Sequence, residues 1–183
     1  MSAFEAGLAS EKADLFDLAL TLMGKLLGWN AYKPEGQGKP DSVWVQSDKL
    51  TLAFESKSDE KAVNAISIRT VRQALTHEIK VNEDDVLASD GKTITIVVSP
   101  RSKIDEDAVA MAADLRYMPI ETLRELGSTV RAALRGIRSA AGPGADQVVV
   151  MEEIQKTYAA AGLLPNDVKT SLTSARLKSI PAQ

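Results

Sequence analysis

Two carboxylates and a lysine stand at the ends of an apolar hairpin pattern in KPDSVWVQSDKLTLAFESKSDE, residues 39–60. Asp41 falls where the first strand pattern begins, and Glu55 and Lys57 where the second ends. A tight turn near Ser47 and Asp48 sets Asp41 opposite Glu55. Alternation along a strand puts Glu55 and Lys57 on one face, and a slip of one residue would turn a strand over. Two carboxylates brought that close repel, so one holds a proton or a cation lies between them. Hard oxygen ligands with room for water suit Mg²⁺ or Mn²⁺. Such an ion polarises a phosphoryl oxygen and makes a bound water more acidic. The lysine orients that water or offsets negative charge growing on phosphorus. The chemistry expected of this set is phosphodiester hydrolysis. Taken singly, the same residues read as a turn after Pro40 and a solvated strand end.

The elements around the hairpin must hold those groups in place. Residues 11–28 show a helical period, with Leu15, Ala19, Leu22 or Met23, and Leu26 on one stripe. Ser10 is placed to cap that helix and Gly28 to end it, with Asp14 and Asp17 on the more polar side. WNAYKP is a short strand. SIRTVRQALTHEIKV is an amphipathic helix whose apolar face carries Ile68, Val71, Leu75 and Ile79. TITIVVS, residues 93–99, is a buried strand by its β-branched run. DEDAVAMAADL reads as a helix, RYMPI as a short strand ending at Pro119, and residues 121–139 as another helix. AAGPGA, residues 140–145, breaks the pattern as a linker, and two further helical segments follow. The order implies an α/β fold with a mixed sheet, antiparallel at the hairpin and parallel where strands and helices alternate.

KPD, thirteen intervening residues and ESK together resemble the PD-(D/E)xK nuclease superfamily, in its Mrr-like, restriction-endonuclease-like branch. LFDLALTLMGKLLGW is similar to that branch's first helix, with Asp17 in the acidic position where glutamate is commoner. GKPD at 38–41 resembles its Pro-Asp turn, and VRQAL supplies Gln73 where the family carries a glutamine on the next helix. The VVSP strand, the alanine-rich helix and the MPIETL segment resemble the fold's second half. The likeness covers roughly residues 10–138. It implies a restriction-endonuclease-like αβββαβ core over residues 1–139, with 140–183 a linker and helical C-terminal extension. It implies a Mg²⁺- or Mn²⁺-dependent deoxyribonuclease of restriction, repair or phage defence. Asp41 and Glu55 would ligate the ion, Lys57 would act on water, and Gln73 and Asp17 would assist. A non-catalytic nucleic-acid-binding or assembly module on the same fold is the alternative. Many such domains act as homodimers or within larger assemblies.

Composition limits the rest. The 183 residues are 44% hydrophobic, 26% charged and 4% aromatic, so the core is aliphatic. No cysteine is present, which removes disulfides and thiolate chemistry and fits a reducing compartment. No apolar run approaches a membrane span, and a cytoplasmic protein is expected. The net charge of −3 requires any phosphate-binding surface to be local. Arg124, Arg131, Arg135 and Arg138 fall within a narrow arc beside the stripe Leu123, Leu126, Val130, Leu134 and Ile137, where they would track a DNA backbone or form a solvated face. No acid follows Asp167, while Lys169, Arg176 and Lys178 do, so the tail is a second candidate contact. His77 is the only histidine, with no nucleophile to pair with, and is given no role.

Overall fold

A computed structural model describes residues 3–46, 50–83 and 91–183. The expected turn at Ser47 and Asp48 lies outside the described residues. Five strands form one mixed sheet in sequence order: β1 (Asn30–Tyr32), β2 (Ser42–Gln46), β3 (Leu50–Ser56), β4 (Lys92–Ser99) and β5 (Arg116–Pro119). The pairs β1–β2 and β2–β3 are antiparallel; β3–β4 and β4–β5 are parallel. Among the described residues seven α-helices flank the sheet: α1 (Ala3–Leu8), α2 (Ala13–Leu26), α3 (Ile68–Asn82), α4 (Glu106–Val109), α5 (Ile120–Ala141), α6 (Gln147–Ala161) and α7 (Pro165–Thr173). The α/β class and the mixed sheet are as the pattern implied. No helix among the described residues is long and apolar enough to cross a membrane.

Alternation along the strands separates the larger core on one face of the sheet from smaller apolar clusters on the other. Trp44, Leu52, Phe54, Ile96 and Val98 face α2, α5 and α7, where Phe16, Leu20, Met23, Leu123 and Val130 complete the larger core. Val97 faces the other way, with Ile66, Val71, Ala74 and Ile104. Tyr158, Leu163, Val168 and Leu172 belong to the larger core, and Leu177 to the cluster around Val97. The segment after the glycine break therefore packs on the same sheet as the residues before it. Ile104–Ala182 and Arg116–Arg176 bridges tie its end to the sheet region.

Four sequence expectations need correction. In α2 the buried stripe is Phe16, Ala19, Leu20 and Met23, while Leu15, Leu18 and Leu22 are 48%, 58% and 40% exposed. The helix is apolar on more than one side, so spacing alone admits both stripes. Ser10 does not cap it: Lys12 is at the N-cap, and Ser10 Oγ accepts from the Lys12 amide. In α3 the buried face is Thr70, Val71, Ala74, His77 and Val81, with Ile79 exposed. The DEDAVAMAADL helix is cut to one turn, α4, and a 3₁₀ turn. Helix α1 was not foreseen at all. A six-residue helix carries too little period to announce itself.

Gly24 sets the closeness of α2 to the sheet. A Cβ there would stand 2.6 Å from Trp44 Cε2 and 2.7 Å from Ala31 Cβ. The contact explains a helix glycine that costs propensity. It also brings Thr21 Oγ1 within 2.9 Å of Ser42 Oγ and carries Asp17 to the end of β3.

Candidate active site

The β2–β3 ladder runs from Gln46–Leu50 to Ser42–Phe54, the register expected from the turn position. One step beyond its last pair, the Asp41 amide donates to Phe54 O at 2.9 Å. Asp41 therefore stands beside the Phe54–Glu55 end of β3, close enough for the Glu55 charge to act on it. Its carboxylate Oδ2 accepts the Ser56 amide at 2.7 Å, across the strand end. Lys57 follows at the end of β3, its amide donating to Val98 O of β4 at 2.9 Å.

Glu55 is fully buried. Its Oε1 lies 2.5 Å from Lys57 Nζ, an ion pair whose angles fall outside hydrogen-bond geometry. Its Oε2 meets His77 Nε2 at 2.6 Å. His77 is itself fully buried, and its Nδ1 has no partner among the described residues. A buried carboxylate is tolerated only with such partners on both oxygens. Burial lowers the Lys57 pKa, but the Glu55 carboxylate beside it, with Asp41 and Glu60, outweighs this and raises it above the usual lysine value. Lys57 is held as an ammonium.

Asp17 is buried rather than on a polar face. Ser56 Oγ donates to its Oδ1 at 2.5 Å and Lys33 Nζ to its Oδ2 at 2.8 Å. Lys33 also stands 3.7 Å from Asp14. Burial lowers the Lys33 pKa; the hydrogen bond and charge of Asp17, with Asp41 and Asp14, reverse that and leave it raised. Asp41 is the group left short of positive charge. Burial pushes its carboxyl up to about 6, with the charges of Asp17 and Glu55 adding and the Ser56 amide and Lys57 opposing. Asp17, Asp41, Glu55 and Lys57 thus share one end of the sheet, and their charges act on one another.

Gln73 is half-buried and lines a cavity of about 250 Å³ with Lys57, Ser67, Arg69 and Thr70. The arginines divide. Arg124 Nε donates to Leu8 O at 2.9 Å while its guanidinium pairs with Glu121 at 2.7 Å. Arg131 pairs with Glu5 at 2.5 Å. Both are engaged within the molecule, at α1 and α5. Arg135 and Arg138 are exposed, on the last turns of α5. That helix starts at the end of β5, and Arg135 lies about 22 Å along its axis from that start.

Three residues of this cluster were not anticipated as parts of it: Lys33, Ser56 and His77. His77 had a signal, since Val71, Ala74 and Val81 define the face on which it falls. Lys33 had only its place one residue past β1. Among the described residues, no three His, Cys, Asp or Glu side chains form a group that would hold one ion as they stand. A Mg²⁺ site needs fewer, because that ion keeps several waters and takes one or two carboxylates. The raised Asp41 pKa fits such a site: the like charges around it call for a cation. No family model, no curated protein and no solved structure matches this chain.

Proposed function

We propose that the chain is a metal-dependent endonuclease that hydrolyses DNA phosphodiester bonds, on a restriction-endonuclease-like core of the PD-(D/E)xK type. The observation that carries this reading is the nearness of Asp41 and Glu55 at the strand ends, where the charge of Glu55 acts on Asp41. The Asp41 carboxyl is raised to about 6 there and the Lys57 ammonium stands beside Glu55. The order helix, three strands, helix, strand from α2 to β4 supports it too. Asp41 and Glu55 would hold Mg²⁺ or Mn²⁺, with Asp17 close behind. When bound, that ion would polarise a phosphoryl oxygen and make water more acidic.

The chain's own groups supply the rest. Lys57, fixed as an ammonium, is a donor and a charge rather than a base; it orients water or stabilises charge developing on phosphorus. His77 and the end of β3 keep Glu55 in one rotamer, so the position of its carboxylate is set before substrate arrives. Ser56 does the same for two acids, through its amide to Asp41 and its hydroxyl to Asp17. Gln73 borders the cavity beside Lys57 and would meet the substrate next to the cut bond.

Plasmid cleavage with Mg²⁺ is the test, with wild type, Asp41→Ala and Lys57→Ala compared. Each variant should lose at least about a hundredfold in rate. Equal activity in all three overturns the reading.

A second reading, a non-catalytic DNA-binding or assembly module, is favoured by one observation. Both oxygens of Glu55 are already taken, by Lys57 and His77. It expects no heat on titrating Mg²⁺ into the protein and no cleavage, with salt-sensitive duplex binding retained.

A further inference from the structure

At the opposite end of the sheet from the carboxylates lies a cavity of about 530 Å³. It sits where β3 and β4 begin and β2 stops, about 17 Å along β3 from Glu55. Lys92, Arg116 and Lys169 line it, with Gln46 and Asn166 at its polar edge and Ile94 on its floor. No acid among the described residues lines it.

The three cations come from three separate elements. Lys92 and Ile94 share the face of β4 that is turned to α7, and Arg116 shares the corresponding face of β5 with Met118. Val168 and Leu172 anchor α7 in the larger core, and this packing carries Lys169 to the cavity. Lys169 belongs to the acid-poor tail, whose charge the carboxylate end of the sheet leaves unused. None of the three forms an ion pair among the described residues. Arg116 Nε is buried without a hydrogen-bond partner. Lys92, Ile94 and Arg116 also line an adjoining cavity of about 220 Å³ with Glu78 and Asp114, yet neither acid forms an ion pair with Lys92 or Arg116.

Like charges held together cost free energy, and a buried guanidinium N–H without an acceptor costs more. An anion with several oxygens relieves the first, and a guanidinium beside two ammonium groups matches the geometry of phosphate. We infer that this cavity is a binding site for a phosphate group, with Arg116 and Lys169 its principal donors and Lys92 a further charge. A cavity of this size holds more than a bare phosphate, and Ile94 and Leu50 offer an apolar wall to what the phosphate is attached to. The group can be that of a small phosphorylated molecule or of a nucleic-acid backbone. The inference stands apart from the proposed nuclease chemistry, since none of its residues belongs to the carboxylate cluster.

Inorganic pyrophosphate is the probe for the first source and a short DNA duplex for the second. Each is titrated calorimetrically into the full chain, against sodium chloride of equal ionic strength. Wild type should bind one of them saturably, and Lys169→Gln should weaken that binding about tenfold. Arg116→Gln should weaken it further. Loss confined to pyrophosphate assigns a small-molecule phosphate, and loss confined to the duplex assigns a backbone phosphate. Lys169 is half-exposed on α7, so its variant folds even if the Arg116 variant does not. Absence of binding by both probes, or equal binding by wild type and Lys169→Gln, overturns the inference.

Discussion

The two ends of the sheet face opposite electrostatic problems and solve them differently. At one end the carboxylates are buried and mostly partnered: Asp17 with Lys33 and Ser56, Glu55 with Lys57 and His77. Only Asp41 is left carrying the cost, as its raised pKa records. At the other end Lys92, Arg116 and Lys169 line a cavity and have no carboxylate partner among the described residues. The acidic end is built from inside the fold, with its counter-charges on neighbouring elements. The basic end is left open toward something outside it.

The strongest way to break this contrast is to remove a partner from the acidic end. His77→Ala would leave Glu55 Oε2 buried without its donor. Breaking a buried pair in that way costs about 3–5 kcal/mol, and urea unfolding should show a loss of that order. If stability hardly changes, the acidic end is wetter and less interdependent than its geometry implies.

Asp41 offers a change of opposite sign. In the folded protein it holds its proton up to about pH 6, whereas in the unfolded chain it releases it near 3.8. Between those values the native state binds more protons, so stability should fall as pH rises through that window. Asp41→Asn keeps an acceptor for the Ser56 amide and removes the charge. It should stabilise the protein by about 1–3 kcal/mol at neutral pH and by little once the pH is below the window. A melting curve at each pH measures this. The same variant should be inactive in plasmid cleavage, a trade of stability against function expected where acids are gathered for chemistry.

The smallest expected effect sharpens the contrast from the basic side. Asn166→Asp puts an acid into the cationic cavity and should gain about 0.5 kcal/mol at low salt. The gain should shrink in a Lys169→Gln background, because the two positions lie three apart on α7. A gain that persists unchanged there would belong to the start of the helix and not to the cavity.

Much of the acidic end was legible in the sequence. The hairpin fixed the register that brings Asp41 near Glu55, because alternation and a short turn leave few other pairings. Period and β-branching located β4, α3 and α5, since long patterned segments carry the clearest signal. The rest was not legible, for physical reasons tied to particular residues. Helix α2 is apolar on two sides, so nothing local chose Phe16 over Leu15 for burial. In α3, Ile79 outranks His77 by hydropathy, yet His77 is buried, meeting Glu55 on the face of the sheet that α3 covers. Two of the four α5 arginines are held by α1, a helix too short to be read in advance.

The sequence by itself determined the class of fold, the ladder between β2 and β3, and the presence of two acids and a lysine at its end. These depend on neighbours along the chain. Tertiary structure alone decided that Lys33 and His77 join those groups, because pairing across elements depends on which helix face meets which strand end. It also decided that Lys92, Arg116 and Lys169, far apart in the chain, border one cavity. Charge is written in the sequence, but whether charges oppose or compensate one another depends on the distances that packing imposes.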